Sequence, residues 1–237
     1  MAKPRRIHVS GENRLLAALP REEYDRLRPS LDEFSLALRD ILHEADRPIT
    51  HVVFPLSGVI SLAVVMRDGL LLEVGTVGNE GLIGIPAFLG ADRSPMTAIC
   101  HIPGVALRME ARNFHEEMRR AGPLHTLVQR ATQALLHQLA QAAACNHRHS
   151  VQQRVCRWLL MNQDRVEANE LALTQEFLAQ ILGVRRPTLS AVAGSLQTAG
   201  LIRYHRGRMT VLDRKGLEAA SCECYRAIRK EIDRVLG

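Results

Sequence analysis

Residues 174–200, TQEFLAQILGVRRPTLSAVAGSLQTAG, contain two short helical patterns joined at a glycine. Thr174 is a good N-cap for a helix over residues 175–182, and Gly183 supplies the permissive backbone that ends it. Pro187 suits the first turn of a second helix, because the N–H that proline lacks has no partner there. The second helix buries one apolar stripe, formed by Leu189, Val192, Ala193 and Leu196. Two short helices across a glycine-containing turn predict a helix-turn-helix.

The exposed side of the second helix predicts contact with the major groove of double-stranded DNA. Its outward positions carry small residues such as Ala191 and Gly194, which let a helix lie deep in the groove. A hairpin predicted around Arg206-Gly207 forms a basic wing suited to phosphate contact. The chain has a net charge of +6, and no acidic residue lies between Glu176 and Asp213. The predicted DNA-binding residues are Thr174, Gln175, Arg185, Arg186, Thr188, Ser190, Ser195, Arg203, Arg206 and Arg208.

Upstream of this segment, residues 34–109 form short apolar or alternating runs separated by turn residues. Many short strands at this spacing predict an antiparallel sandwich or barrel. The predicted strands are residues 37–42, 51–54, 59–65, 70–77, 98–102 and 105–109, after a helical lead-in over residues 11–28. The predicted fold class is therefore α+β, with an antiparallel β jelly-roll barrel, a long helix and a winged helix-turn-helix in that order.

After Pro123 the apolar spacing becomes that of one long helix with a narrow seam. The seam residues Leu124, Val128, Ala131, Leu135, Ala142 and Cys145 fall near positions a and d of a heptad. This pattern predicts a homodimer through residues 124–145, and packing against the chain's own barrel is the alternative. Ser150 and Gln153 match a capping box, which predicts a hinge at residues 148–150. The predicted domains are a sensor (1–122), a dimerisation helix and hinge (123–149) and a DNA-binding domain (150–237).

Several histidines and cysteines are candidate metal ligands, namely Cys145, His147, His149, Cys222 and Cys224. A metal site needs three or four ligands that converge, and sequence alone cannot show convergence. Ordinary hinge histidines and cysteines are therefore the expectation, with no metal and no cofactor. Residues 1–99 contain no cysteine, which disfavours an N-terminal iron–sulfur cluster.

Other classes of protein fit the pattern less well. No apolar run is long enough to span a membrane, and residues 1–16 do not resemble a signal peptide, so a cytoplasmic protein is expected. A cupin-type metalloenzyme would carry its His-x-His on a barrel strand, whereas His147 and His149 follow the long helix. No catalytic residue is predicted. A sensor that acts through protein partners is the other alternative, and it leaves the acid-free basic stretch unexplained.

Four stretches carry a resemblance to a known family, namely residues 173–190, 199–202, 39–44 and 53–60. The first two look like the DNA-binding domain of the CRP/FNR transcription regulators, and the last two look like the cyclic-nucleotide-binding-type barrel of the same family. The resemblance implies promoter binding as a homodimer, gated by a small-molecule effector that is unknown here. It also implies RNA polymerase as a partner if the protein is an activator.

This chain departs from the family at two sites. Of the three base-reading positions in family members that bind cyclic AMP, only Arg186 matches, so we expect a different operator. Those members also use a Gly-Glu pair for the ribose and an Arg before Ser/Thr-Ala for the phosphate. Here Ile85 follows Gly84 and Met96 precedes Thr-Ala. The corresponding pocket residues Gly84, Ile85, Arg93 and Thr97 are therefore not expected to bind cyclic AMP.

Overall fold

A computed structural model describes residues 11–166 and 169–236. The predicted absence of a signal peptide concerns residues 1–16, of which the first ten lie outside these ranges. Two short helices, α1 (Arg14–Ala17) and α2 (Arg21–Leu27), form the predicted lead-in. Asn13 caps α1, because its side chain accepts hydrogen bonds from the first backbone N–H groups of that helix.

The N-terminal domain consists of two antiparallel sheets that enclose a core. Its strands are β1 (Asp32–Leu36), β2 (Ile41–His43), β3 (His51–Pro55), β4 (Val59–Val65), β5 (Leu71–Val77), β6 (Thr97–Ile102) and β7 (Gly104–Glu110). One sheet has the order β1-β7-β3 and the other the order β2-β6-β4-β5. Helix α3 (Ile85–Phe88) separates β5 from β6, and α4 (Ala111–Arg119) follows β7. The predicted fold class is confirmed.

The strand predicted over residues 37–42 is only partly correct. Residues 37–40 form a turn, and the strand that follows begins at Ile41. Arg39 has a φ of 72°, and the carboxylate of Asp40 accepts a hydrogen bond from the Ala37 backbone N–H at 2.7 Å. A residue with positive φ cannot continue an extended ladder, so this local turn overrides the apolar pattern.

A long helix, α5 (Pro123–Arg148), leads from this domain to α6 (Val151–Val166). The break between the two helices falls where the hinge is predicted. The Ser150 N–H donates to Gln153 Oε1 at 3.0 Å, and the Gln153 N–H donates to Ser150 Oγ at 3.3 Å. These reciprocal bonds are the predicted capping box, which stabilises the start of α6.

The first half of the predicted dimer seam has a different role. Leu124, Val128 and Ala131 are buried in a core cluster together with Phe54 and Met109 of the barrel. Packing against the chain's own barrel was the alternative considered from the sequence, and it holds for this half of α5. These three residues are therefore not available to pair two copies of the chain.

The C-terminal domain begins with α6 and continues with a three-stranded sheet and four helices among the described residues. These elements are β8 (Glu170–Ala172), α7 (Gln175–Leu182), α8 (Arg186–Thr198), β9 (Ile202–His205), β10 (Arg208–Val211), α9 (Arg214–Ala220) and α10 (Cys224–Leu236). The sheet has the order β8-β10-β9. The last helix returns to pack along α5 and also contacts α6. None of the described helices is long and apolar enough to cross a membrane.

Candidate DNA interface

The helix-turn-helix formed by α7 and α8 follows the predicted pattern closely. Thr174 caps α7, with its side-chain oxygen 3.2 Å from the Phe177 N–H. Gly183 ends the helix in the left-handed region at φ 63°, where a glycine has no steric cost. The apolar faces of both helices share one core, in which Leu178, Leu189 and Leu196 are fully or almost fully buried. This core holds α8 at a set angle with its other face outward.

The outward face of α8 is open to solvent. Pro187, Ala191 and Thr198 are exposed, and a methyl group added at Gly194 would meet no atom within 4 Å. Arg185 and Arg186 are exposed at the helix N-terminus, and neither pairs with an acidic group of the described residues. The face therefore combines small side chains with two unpaired arginines, and this combination suits entry into the major groove.

The wing is a tight hairpin between β9 and β10. Its two turn residues, Arg206 and Gly207, have φ values of 45° and 77°. Positive φ at both central residues is the geometry of a type I′ turn, whose twist matches that of the strands. Arg203 and Arg206 are exposed without an ion pair in the described chain. Arg208 is also exposed, and its guanidinium pairs with Glu170 at 2.6 Å.

Several of the other predicted contact residues already have partners within the domain. Ser190 Oγ donates to Gln175 Oε1 at 2.7 Å, which ties the two helices together. Ser195 Oγ donates to the Ala191 carbonyl at 3.2 Å, and the Gln175 N–H donates to Tyr204 Oη at 3.2 Å. Thr188 is exposed at the first turn of α8. The ten predicted residues lie on or next to α7, α8 and the wing, and they differ in how many partners they already have within the domain.

The barrel contains a small apolar cavity between β6, α3 and α5. Its volume is about 170 Å³, and it is lined by Gly84, Ile85, Leu62, Met96, Leu135, Leu139 and neighbouring apolar side chains. His43 is the one ionisable side chain among the described residues of the lining, and burial lowers its pKa. Thr132 and Ser94 use their hydroxyls within the chain. The cavity therefore suits a neutral, apolar ligand.

The four predicted pocket residues divide into two pairs. Gly84 and Ile85 line the cavity. Arg93 is exposed, and its guanidinium donates to the Asp46 carbonyl at 2.8 Å. Thr97 is buried, and its hydroxyl accepts a hydrogen bond from the Ala45 N–H at 3.3 Å. No arginine of the described chain is placed to neutralise a phosphate in this cavity.

A buried polar interface joins the barrel to α6, and the sequence patterns did not reveal it. Ser61 Oγ lies 2.5 Å from Glu73 Oε2 and 2.7 Å from His101 Nδ1. On the α6 side, Trp158 Nε1 donates to Glu73 Oε1 at 2.8 Å, and Asn162 Oδ1 lies 2.7 Å from His101 Nε2. Burial raises the pKa of Glu73 to about 7 and lowers that of His101 to about 4. In the folded chain, Glu73 therefore changes charge near pH 7 and His101 near pH 4.

An ion pair extends the same interface. Arg165 of α6 donates to Glu80 Oε1 at 2.6 Å, to the Thr76 carbonyl at 3.1 Å and to Gln138 Oε1 at 3.3 Å. Burial alone would raise the pKa of Glu80, but attraction and hydrogen bonds from Arg165 lower it below its usual range. Arg165 thus connects α6 to β5, to the loop after β5 and to α5.

The candidate metal ligands are also brought together in part. Cys145, His149, Cys222 and Cys224 converge, whereas His147 is exposed on the other side of α5. This convergence depends on α10, which sequence periodicity did not place beside α5.

Comparisons with known proteins agree with this architecture. Residues 153–220 match the model of the Crp-like helix-turn-helix domain. FixK2 from Bradyrhizobium japonicum has a TM-score of 0.69 and 16% identity, with 81% of this chain and 98% of that chain covered. This chain has the fold of a CRP/FNR-type transcription regulator.

Two further CRP/FNR-type structures show the same likeness. A putative regulator of the crp/fnr family from Eubacterium rectale has a TM-score of 0.68 and 18% identity, over 87% of this chain and 96% of that one. CLP of Xanthomonas campestris, a c-di-GMP responsive global regulator, has a TM-score of 0.66 and 16% identity, over 80% of this chain and 97% of that one. None of the curated protein sequences matches this chain. The resemblance stated from the sequence is confirmed at the level of the fold and of the Crp-like helix-turn-helix domain.

Proposed function

We propose that this CRP/FNR-type protein regulates transcription by binding an inverted-repeat operator as a homodimer. The observation that carries the proposal is the open face of α8, which has Arg185 and Arg186 unpaired at its N-terminus. Two such helices related by a twofold axis would enter successive major grooves about 34–36 Å apart. Selection of bound duplexes from a random library tests this. It should return an inverted repeat, and no enrichment at low salt would contradict the proposal.

The two arginine sites should contribute differently to DNA binding. Arg186→Ala is expected to weaken binding by about 1–3 kcal/mol and to relax the preference at one base pair, because it removes a base contact. Arg206→Ala should weaken binding to all sequences alike and reduce the salt dependence, since the wing faces phosphates. Fluorescence anisotropy on the selected operator and its single-base variants measures both effects. Equal loss on every sequence for Arg186→Ala would contradict its assignment as a base reader.

The dimer contact is proposed to lie on the exposed stripe of α5. Leu136 is 61% exposed, and Ala140, Ala143 and His147 follow it at heptad spacing on the solvent side. Leu136→Glu would bury a charge at such an interface, so we expect this variant to be monomeric at micromolar concentration. Sedimentation velocity measures the change. Leu38→Glu, at an exposed leucine of the barrel, is the matched control and should remain dimeric.

Cyclic AMP is not expected to bind the barrel cavity. The cavity is apolar. Arg93, the arginine considered for the phosphate from the sequence, is exposed and donates a hydrogen bond to the Asp46 carbonyl. A phosphate placed there would be buried without a cation, which is strongly unfavourable. Isothermal titration of the purified protein with cyclic AMP, cyclic GMP and cyclic di-GMP should show no saturable binding. Micromolar binding that Arg93→Ala abolishes would contradict this view of the pocket.

A further inference from the structure

Four side chains with metal-binding donors converge where α5 meets α10. Cys145 lies in the last turn of α5, and His149 caps the end of that helix, with its N–H donating to the Cys145 carbonyl at 3.0 Å. Cys224 is the first residue of α10, and Cys222 lies two positions before it. One donor atom from each of the four residues lies within 4.8 Å of all the others. Such convergence from two distant parts of the chain is what a metal site requires.

Two of the distances among the four donors match those of one tetrahedral ion. Cys145 Sγ lies 3.5 Å from Cys222 Sγ, and Cys224 Sγ lies 3.5 Å from His149 Nδ1. Zinc, with bonds of about 2.3 Å to sulfur and about 2.0 Å to nitrogen, places its ligand atoms roughly 3.5–3.8 Å apart. An iron–sulfur cluster distributes its thiolates over several irons and needs a wider cavity. The donor set of three thiols and one imidazole is also a common one for structural zinc.

The surroundings of these four residues support a metal site. His149 Nε2 lies 3.1 Å from Glu223 Oε2, so a carboxylate orients the ring and leaves Nδ1 facing the thiols. This carboxylate–histidine arrangement is typical of metal ligands. Gln141 Nε2 donates to Cys224 Sγ at 3.1 Å, a bond that favours thiolate. The three cysteines are buried and the His149 side chain is 12% exposed, so no open position remains for a substrate.

We propose that Cys145, His149, Cys222 and Cys224 bind one Zn²⁺ in a closed structural site. Binding to three thiols releases three protons, and the complex then carries one negative charge. Arg154 and Arg157 of α6 lie near enough to Cys145 to interact with that charge. The ion joins the hinge end of α5 to α10, which itself packs on α6. The ion therefore fixes α10 to the end of α5, where the two domains are connected. This structural role does not depend on the proposed function in transcription.

The metal content of the full-length protein tests this proposal directly. After purification under reductant and dialysis against metal-free buffer, we expect about one zinc ion per chain by inductively coupled plasma mass spectrometry. Cys222→Ser and Cys224→Ser should each lose the ion. Cys100→Ser is the matched control, because Cys100 is equally buried but lies in the barrel, and this variant should keep its zinc. Glu223→Gln, at an exposed position, should bind zinc about tenfold more weakly in a chelator competition.

A measurement on the unmodified chain covers the case in which the serine variants do not fold. Exchange of zinc for Co²⁺ should give the thiolate-to-cobalt bands and the intense d–d bands of a tetrahedral site. Less than about a fifth of a zinc ion per chain, together with no such cobalt spectrum, would overturn the proposal. So would iron with acid-labile sulfide, a Cys145–Cys222 disulfide in place of metal, or zinc retained by folded Cys222→Ser and Cys224→Ser variants.

Discussion

Replacing Arg165 by methionine is expected to lower the free energy of unfolding by about 3–5 kcal/mol. The Arg165 side chain is 5% exposed and its partner Glu80 is 11% exposed, so the pair is screened little by solvent. Methionine keeps much of the volume but leaves the Glu80 carboxylate buried without its cation. Losing the guanidinium also removes the donors to Thr76 and Gln138. This is the largest single-residue effect on stability that we expect at the domain interface.

Chemical unfolding followed by tryptophan fluorescence measures the Arg165 effect, because Trp158 is the only tryptophan and lies in this interface. Arg208→Met is the matched control. Its ion pair with Glu170 is exposed, with side chains 67% and 50% accessible, so a change of about 0–1 kcal/mol is expected. A double variant, Arg165→Met with Glu80→Met, should recover most of the loss. If Arg165→Met matched the control, the pair would not contribute to stability as described.

The stability of the interface should depend on pH through Glu73 and His101, with opposite signs. The pKa of Glu73 rises on folding from 4.5 to about 7, so the folded chain holds a proton that the unfolded chain has lost. Stability from this group therefore falls as the pH rises from about 4.5 to 7, by about 3 kcal/mol in total. The pKa of His101 falls from 6.5 to about 4, so its contribution rises with pH between about 4 and 6.5. In the unmodified chain the two slopes offset each other.

Ser61 links Glu73 to His101, and the protonated form of Glu73 completes a chain of hydrogen bonds when His101 is neutral. Ser61 has one hydroxyl proton and lies between two acceptors, Glu73 and His101 Nδ1. When Glu73 is protonated, it can donate to Ser61, which then donates to His101. His101 in turn donates from Nε2 to Asn162 Oδ1. Every donor then has an acceptor, whereas a Glu73 carboxylate would leave Ser61 with two acceptors and one proton.

Two variants separate the opposing slopes. Relative to the unmodified chain, the stability of Glu73→Gln should rise from about pH 4.5 to 7, because the falling Glu73 contribution has been removed. The stability of His101→Gln relative to the unmodified chain should fall from about pH 4 to 6.5, because the rising His101 contribution has been removed. The quantity to compare is the difference in unfolding free energy between each variant and the unmodified chain, so that other titrating groups cancel. Parallel pH profiles for all three proteins would contradict the assigned pKa shifts.

Local sequence patterns determined much of the DNA-binding domain. The bounds of α7, the left-handed Gly183, the capping box at Ser150 and the Arg206-Gly207 turn were all predictable. Each depends on residues within a few positions of one another, so backbone preference and capping decide them. The strand at residues 37–42 was the exception, because the turn around Arg39 competed with an apolar pattern.

The partners of buried and reactive side chains were decided by the tertiary structure. Periodicity marked Leu124, Val128 and Ala131 as a seam, but either the barrel or a second copy could have covered it. Glu73, His101 and Arg165 are polar residues without a local pattern, and only the docking of α6 on the barrel brings them together. Likewise, Cys145 and Cys222 are 77 positions apart and meet because α10 returns along α5. Contacts between distant segments depend on how whole elements pack, which the spacing of residues within one element does not encode.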